Sequence, residues 1–271
     1  MEQREAPVFI ETDELAKLIE TEKDLKVFDC TMSLTPEDGD AILNYHNSHI
    51  PGSEFLDLRY LKNASAPFPN TIPPLDLFKD TMKKHNVRLQ SRVVLYDAKG
   101  LYMSTRAFWL FKVFGHLSVS VLNGGLAKWL KEERTVSKNE TGPADSFNYT
   151  FNPALFADYQ TIIDLESKSE PKDTLVLDAR PDASYANGHL TDGHSLFYKN
   201  LQTADCTVKS TEEIREILAS KNLDFTQKII TQCQSGNTAT YLFAALKHAG
   251  HGDVRVYDGS YSEYSAKKSQ Q

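Results

Sequence analysis

The sequence predicts an α/β protein made of two similar domains, each a mainly parallel sheet flanked by helices. Short apolar runs alternate with helical patterns along all 271 residues, which is how parallel sheets covered on both faces read. The chain also repeats itself once. Phe114-Gly115-His116 followed by Val119-Ser120-Val121-Leu122-Asn123-Gly124-Gly125 is matched by Ala249-Gly250-His251 followed by Val254-Arg255-Val256-Tyr257-Asp258-Gly259-Ser260. An earlier pair recurs too: Leu25-Lys26-Val27-Phe28-Asp29 with Leu175-Val176-Leu177-Asp178, and His49-Ile50-Pro51-Gly52-Ser53 with His189-Leu190-Thr191-Asp192-Gly193. A single long repeat means two domains and not a solenoid. We expect domains at 1–138 and 156–271, joined by a linker over 139–155, where Ser, Asn, Thr, Gly and Pro gather without an apolar period.

Taken in order, Thr12–Thr21 reads as an amphipathic helix with Thr12 or Asp13 as its cap. Lys26–Asp29 reads as a buried strand, and Pro74–His85 as a helix that Pro73-Pro74 can start. Val93–Tyr96 and Val119–Leu122 are strands, with Ser104–Phe114 a helix between them. The second half gives helices Phe156–Ser167, Ser210–Ser220 and Thr238–His248 and strands Thr174–Asp178, Lys228–Thr231 and Val254–Tyr257. Ser210-Thr211-Glu212-Glu213 has the spacing of a capping box.

Composition is globular, 40% hydrophobic and 25% charged, with no run long enough to span a bilayer. A net charge of −7 without a Lys/Arg cluster argues against nucleic acid or a membrane surface as partner. Three cysteines, without C-x-x-C spacing or a Cys/His cluster, argue against a disulfide framework and against a metal site, and point to a reducing compartment. The N-terminal residues are polar and acidic, unlike a secretory or transit peptide. The cytoplasm is the expected location, a mitochondrial one being left open.

Ile229 through Thr240 carries the chemistry: a β-branched strand, a polar Gly-containing loop opened by Cys233, then a helix. A thiol there faces unpaired backbone N–H groups and the positive end of a helix, and both favour thiolate over thiol. Such a sulfur anion is a nucleophile, and a persulfide formed on it is stabilised by the same donors. The plainer reading, a buried inert thiol, suits most cysteines. It suits Cys30, which ends the run Val27-Phe28-Asp29, whereas Cys206 in its polar stretch is given no role.

The chain resembles the tandem-domain rhodanese family, the thiosulfate and 3-mercaptopyruvate sulfurtransferases, as a divergent member. The resemblance rests on His49-Ile50-Pro51-Gly52-Ser53, Arg106-Ala107-Phe108-Trp109, Leu177-Asp178-Ala179-Arg180, the Cys233 loop and Tyr257-Asp258-Gly259-Ser260. It implies a catalytically silent first domain and a catalytic second one. In the register that sets Gly115 opposite Gly250, Ala98 falls opposite Cys233. It further implies that Cys233 takes a sulfane sulfur from a small-molecule donor as a persulfide and passes it to cyanide, a thiol or a thioredoxin-like protein, with no cofactor. Backbone N–H groups of Gln234, Ser235, Gly236, Asn237 and Thr238 would cradle the outer sulfur.

Thiosulfate-preferring relatives carry basic residues in the two positions after the cysteine, and here Gln234 and Ser235 are neutral. That leans toward mercaptopyruvate, with thiosulfate second. Arg180 matches a family arginine that binds the donor carboxylate, while its second arginine aligns with Ser184. Of the family's Asp–His–Ser relay only Ser235 remains: Arg59 aligns with the Asp and is a candidate for substrate binding, and the His aligns near Asn70. His49 and His189 recur at matching points, as structural hydrogen-bonding residues do. Two other classes compete. A degenerate, non-catalytic sulfur relay or binding module would explain the lost relay. A cysteine phosphatase needs an arginine clamp, and no Arg or Lys follows Cys233 until Lys247.

Overall fold

The computed structural model describes residues 5–33, 35–138, 150–167 and 173–270. Its contacts divide into two units. Unit 1 is Met1–Lys62, Pro73–Phe151 and Ala204–Thr207, and unit 2 is Asn63–Ile72, Asn152–Thr203 and Val208–Gln271. Each unit thus takes a short segment from the other half of the sequence, which the repeat did not foreshadow. Most of the expected linker, 139–149, lies outside the described residues.

Unit 1 runs β1 Phe9–Ile10, α1 Thr12–Thr21, β2 Leu25–Asp29, α2 Ala41–Asn47, β3 Ser53–Phe55, α3 Leu75–Lys84, β4 Arg92–Tyr96, α4 Tyr102–Val113, β5 Val119–Leu122 and α5 Gly125–Lys131. Unit 2 runs β6 Phe156–Ala157, α6 Tyr159–Glu166, β7 Thr174–Asp178, α7 Asp182–Ala186, β8 Gly193–Ser195, α8 Thr211–Ser220, β9 Lys228–Gln232, α9 Thr238–His248, β10 Val254–Tyr257 and α10 Ser260–Lys268. The two sheets share one strand order, β1-β5-β4-β2-β3 and β6-β10-β9-β7-β8. All strand pairs are parallel. This is the predicted class: two α/β units with parallel sheets flanked by helices.

The central strands β4 and β9 are buried over their last four residues, and Met103–Val113 and Ala239–Leu246 on the helices that follow are buried almost entirely. A helix buried on every side reads as apolar all round, which is why α4 and α9 stand out in the sequence. Ser210 and Glu213 form the expected capping box, with Glu213 N–H donating to Ser210 Oγ at 3.2 Å and Ser210 N–H to Glu213 Oε2 at 2.9 Å.

Two expectations need correction. Glu11, not Thr12 or Asp13, is the cap of α1, and it makes no side-chain bond there. Thr12 instead donates to Glu132, and Asp13 pairs with Arg134. Phe156 belongs to β6 and not to a helix. Asp158 caps α6, its carboxylate accepting from Thr161 N–H at 2.8 Å.

The repeated histidines are structural. His49 Nδ1 contacts Tyr45 O at 2.8 Å and stacks on the Tyr45 ring, whose hydroxyl donates to Ser53 O. Unit 2 repeats the device: His189 Nδ1 contacts Tyr185 O at 3.0 Å, and the Tyr185 hydroxyl donates to Gly193 O at 2.6 Å. Each tyrosine ties the helix before the third strand of its unit to that strand. Arg106 is buried with its guanidinium 4.7 Å from the Trp109 ring, which makes it a brace inside unit 1.

Candidate active site

Ligands of open parallel sheets gather beyond the carboxyl ends of the strands, and Cys233 is the first residue past β9. The side chain is buried, 2% exposed. Gly236 N–H donates to Cys233 Sγ at 3.2 Å. Gly236 has φ +84°, a conformation that costs glycine nothing and lets the loop fold back over the sulfur.

The loop is held open toward its own centre from outside. Tyr261 N–H donates to Cys233 O and Ser262 N–H to Gln234 O, each at 3.0 Å. Cys233 N–H donates to Ser260 Oγ at 3.0 Å, and that hydroxyl donates on to Tyr257 O at 2.9 Å. The first turn of α10 therefore satisfies the outward-facing carbonyls. Asn237 O accepts from Thr240 N–H and Oγ1, which fixes the start of α9 at Thr238. Among the described residues, Gly236 N–H and, at 3.9 Å, the Ser260 hydroxyl lie within hydrogen-bonding reach of the sulfur.

Asn70, brought into unit 2 with segment 63–72, reaches this loop. Its Nδ2 donates to Ser235 O at 3.2 Å and to Ser235 Oγ at 3.3 Å. Asn70 sits at φ +57°, a left-handed position that asparagine tolerates better than most residues. Ile72 N–H donates to Asp258 at 2.5 Å, anchoring the same segment. Asn70 and the α10 residues Tyr261 and Ser262 were not singled out as site residues in the sequence. The first was marked in the sequence as the place near which the family's relay His aligns.

Arg180 is 5% exposed. Its Nε bonds Asp178 Oδ1 at 3.0 Å, and its Nη2 bonds Asp178 Oδ2 at 2.6 Å and Gly188 O at 2.8 Å. Nη1 donates to Gln234 Oε1 at 3.3 Å, and the guanidinium lies 4.1 Å from the Tyr261 ring centre. The buried Asp178–Arg180 pair ties the end of β7 to the Cys233 loop. Arg59 belongs to unit 1, is half exposed, and forks onto Asp57, with Nη2 to Oδ2 at 2.6 Å. No group of three or more His, Cys, Asp or Glu able to hold a metal occurs among the described residues.

Unit 1 holds a counterpart of the loop. Tyr96 ends β4 as Gln232 ends β9, so Asp97, not Ala98, stands where Cys233 does. Its Oδ1 accepts from Lys99 N–H at 2.8 Å and Leu101 N–H at 3.1 Å, and its Oδ2 from Met103 N–H at 3.1 Å and from Ser104 N–H and Oγ at 2.8 Å. A ring of backbone donors in this fold position is a binding place for negative charge, and in unit 1 the chain fills it with its own carboxylate.

The rhodanese-like domain model matches residues 11–132 and 161–267. A thiosulfate sulfurtransferase of Rattus norvegicus is 32% identical over 253 residues, 89% of this chain and 84% of its own. A 3-mercaptopyruvate sulfurtransferase of Escherichia coli K12 is 28% identical over 272 residues, covering 96% and 95%. The crystal structure of SseA from Escherichia coli, described as a 3-mercaptopyruvate sulfotransferase, superposes with a TM-score of 0.86 at 27% identity, covering 95% of this chain and all of that one. With both units matched, and with the first position beyond the central strand filled by a cysteine in one and a carboxylate in the other, the chain belongs to the rhodanese-like family as a tandem of two such domains.

Proposed function

We propose that the chain is a sulfurtransferase that carries a sulfane sulfur as a persulfide on Cys233. The observation that supports this most directly is the contact of Gly236 N–H with Cys233 Sγ at 3.2 Å, in a loop whose carbonyls are turned outward onto α10. A sulfur nucleophile so held attacks the outer sulfur of a donor. With thiosulfate, the S–S bond of the donor breaks, Cys233–S–S⁻ forms and sulfite leaves. With 3-mercaptopyruvate, the C–S bond breaks, the electron pair goes to carbon, and the donor thiol's proton completes pyruvate. The acceptor, cyanide or the thiol of a small molecule or thioredoxin-like protein, then takes the outer sulfur and restores Cys233. Gln234, Ser235, Asn237 and Thr238 complete the cradle, and Arg59 stays a candidate substrate contact. No helix among the described residues is long and apolar enough to cross a membrane.

Incubating the protein with 3-mercaptopyruvate, thiosulfate and a phosphoester in turn, and recording intact mass with product release, tests this reading. It requires a gain of one sulfur atom on wild type, loss of that gain in Cys233→Ser, and turnover to an acceptor. Loading without turnover would make the chain a sulfur relay, and phosphate release a phosphatase.

A further inference from the structure

Arginine has five N–H donors. In Arg180, Nε and both Nη2 hydrogens are committed, to the buried Asp178 and to the Gly188 carbonyl. One Nη1 hydrogen goes to Gln234 Oε1, the longest of these bonds at 3.3 Å. The fifth, also on Nη1, has no acceptor among the described residues. Gln234 is the exposed member of this set and the residue next to Cys233. The other end of its carboxamide donates to Ser262 Oγ at 3.0 Å. Its backbone is held separately, through Ser262 N–H on Gln234 O, so the side chain can swing away without moving the loop.

We infer that Gln234 is a specificity-determining stopper: its carboxamide caps the Nη1 edge of Arg180 until a carboxylate-bearing sulfur donor displaces it. The inference rests on the reading of Cys233 as the reacting thiol. The exchange is favourable because a carboxylate replaces one neutral acceptor with a charge-assisted pair and can use both Nη1 hydrogens. It selects for donors whose carboxylate lies within a few bonds of the reacting sulfur.

Alkylation of Cys233 separates this from sulfur-transfer activity. Iodoacetate and iodoacetamide react alike: an S–C bond forms, the C–I bond breaks and iodide leaves. They differ in one carboxylate. The ratio of their rates at the Cys233 peptide, read by mass spectrometry in the full chain, should rise about fivefold to tenfold in Gln234→Ala, where the cap is gone. It should fall below wild type in Gln234→Glu, where a permanent ion pair takes Nη1. The KM for 3-mercaptopyruvate should move inversely to that ratio. A ratio unchanged in both variants, or shifted the same way in both, would overturn the stopper while leaving the persulfide chemistry standing. No alkylation at Cys233 by either reagent would overturn both.

Discussion

Asp97 and Cys233 occupy one structural position in the two halves of this chain, each the first residue beyond the central strand and each ringed by a loop that turns into a buried helix. The carboxylate accepts four backbone N–H groups and the Ser104 hydroxyl. Replacing Asp97 by Ala strands the buried donors of Leu101, Met103 and Ser104. We expect a loss of about 3–5 kcal/mol in unfolding free energy, measured by urea denaturation, with Asp97→Asn losing less. An Asp97→Ala protein as stable as wild type would mean the loop reorganises freely.

Arg180→Ala should damage stability before it damages binding. It leaves the fully buried Asp178 without its cation, at a cost of about 3–5 kcal/mol. An Asp178→Asn, Arg180→Met double variant should recover part of that loss, because no lone charge remains buried. A double variant as unstable as the sum of the singles would show that the pair contributes no coupling.

Asn70→Ala removes both contacts to Ser235. With the loop free to shift beside Cys233, kcat/KM for sulfur transfer should fall about tenfold while the far-ultraviolet spectrum stays that of wild type. An unchanged kcat/KM would reduce Asn70 to a loop residue.

Two buried groups of unit 1 oppose each other in mild acid. Burial pushes the Asp29 carboxyl up from 3.8 to about 6, the Thr31 bonds only partly offsetting it. Its folded-state value lies above the unfolded one, so its contribution is fully present below pH 4 and is lost as pH rises to 6. Burial drives His116 down from 6.5 to about 4, so its contribution is present above pH 6.5 and is lost as pH falls to 4. Each effect is about 3 kcal/mol. Asp29→Asn should therefore gain on wild type between pH 4 and 6, and His116→Gln should gain on wild type as pH falls from 6.5 to 4. Urea midpoints at four pH values check both slopes, and parallel curves for either variant would remove its group from the balance.

The long elements were readable in the sequence because burial on both faces leaves unbroken apolar runs, as in Val93–Tyr96 and Ile229–Thr231. Strands of two or three residues, β1, β3, β6 and β8, have no period to read, and sheet pairing alone creates them. Phe156 looked helical for that reason. The repeat misplaced the counterpart of Cys233 by one residue because its register was set after the helix. Tyr102–Val113 is one residue longer than Thr238–His248, so the alignment that holds at Gly115 and Gly250 slips on crossing back to the loops. The cysteine loop itself was legible, being local. The Asn70 contact with Ser235 was not, since 165 positions separate the two. Arg180 was noticed as a cation two residues from Asp178, its main partner, but its further bonds to Gly188 and Gln234 come from residues that only the folded chain brings together.

The amides that grip the Cys233 and Gln234 carbonyls sit on α10, downstream of every other element in unit 2. During synthesis the strand, the thiol and the helix behind it are all made before the part that turns the loop's donors inward. The cradle around the sulfur thus stays incomplete until α10 has been made and docks.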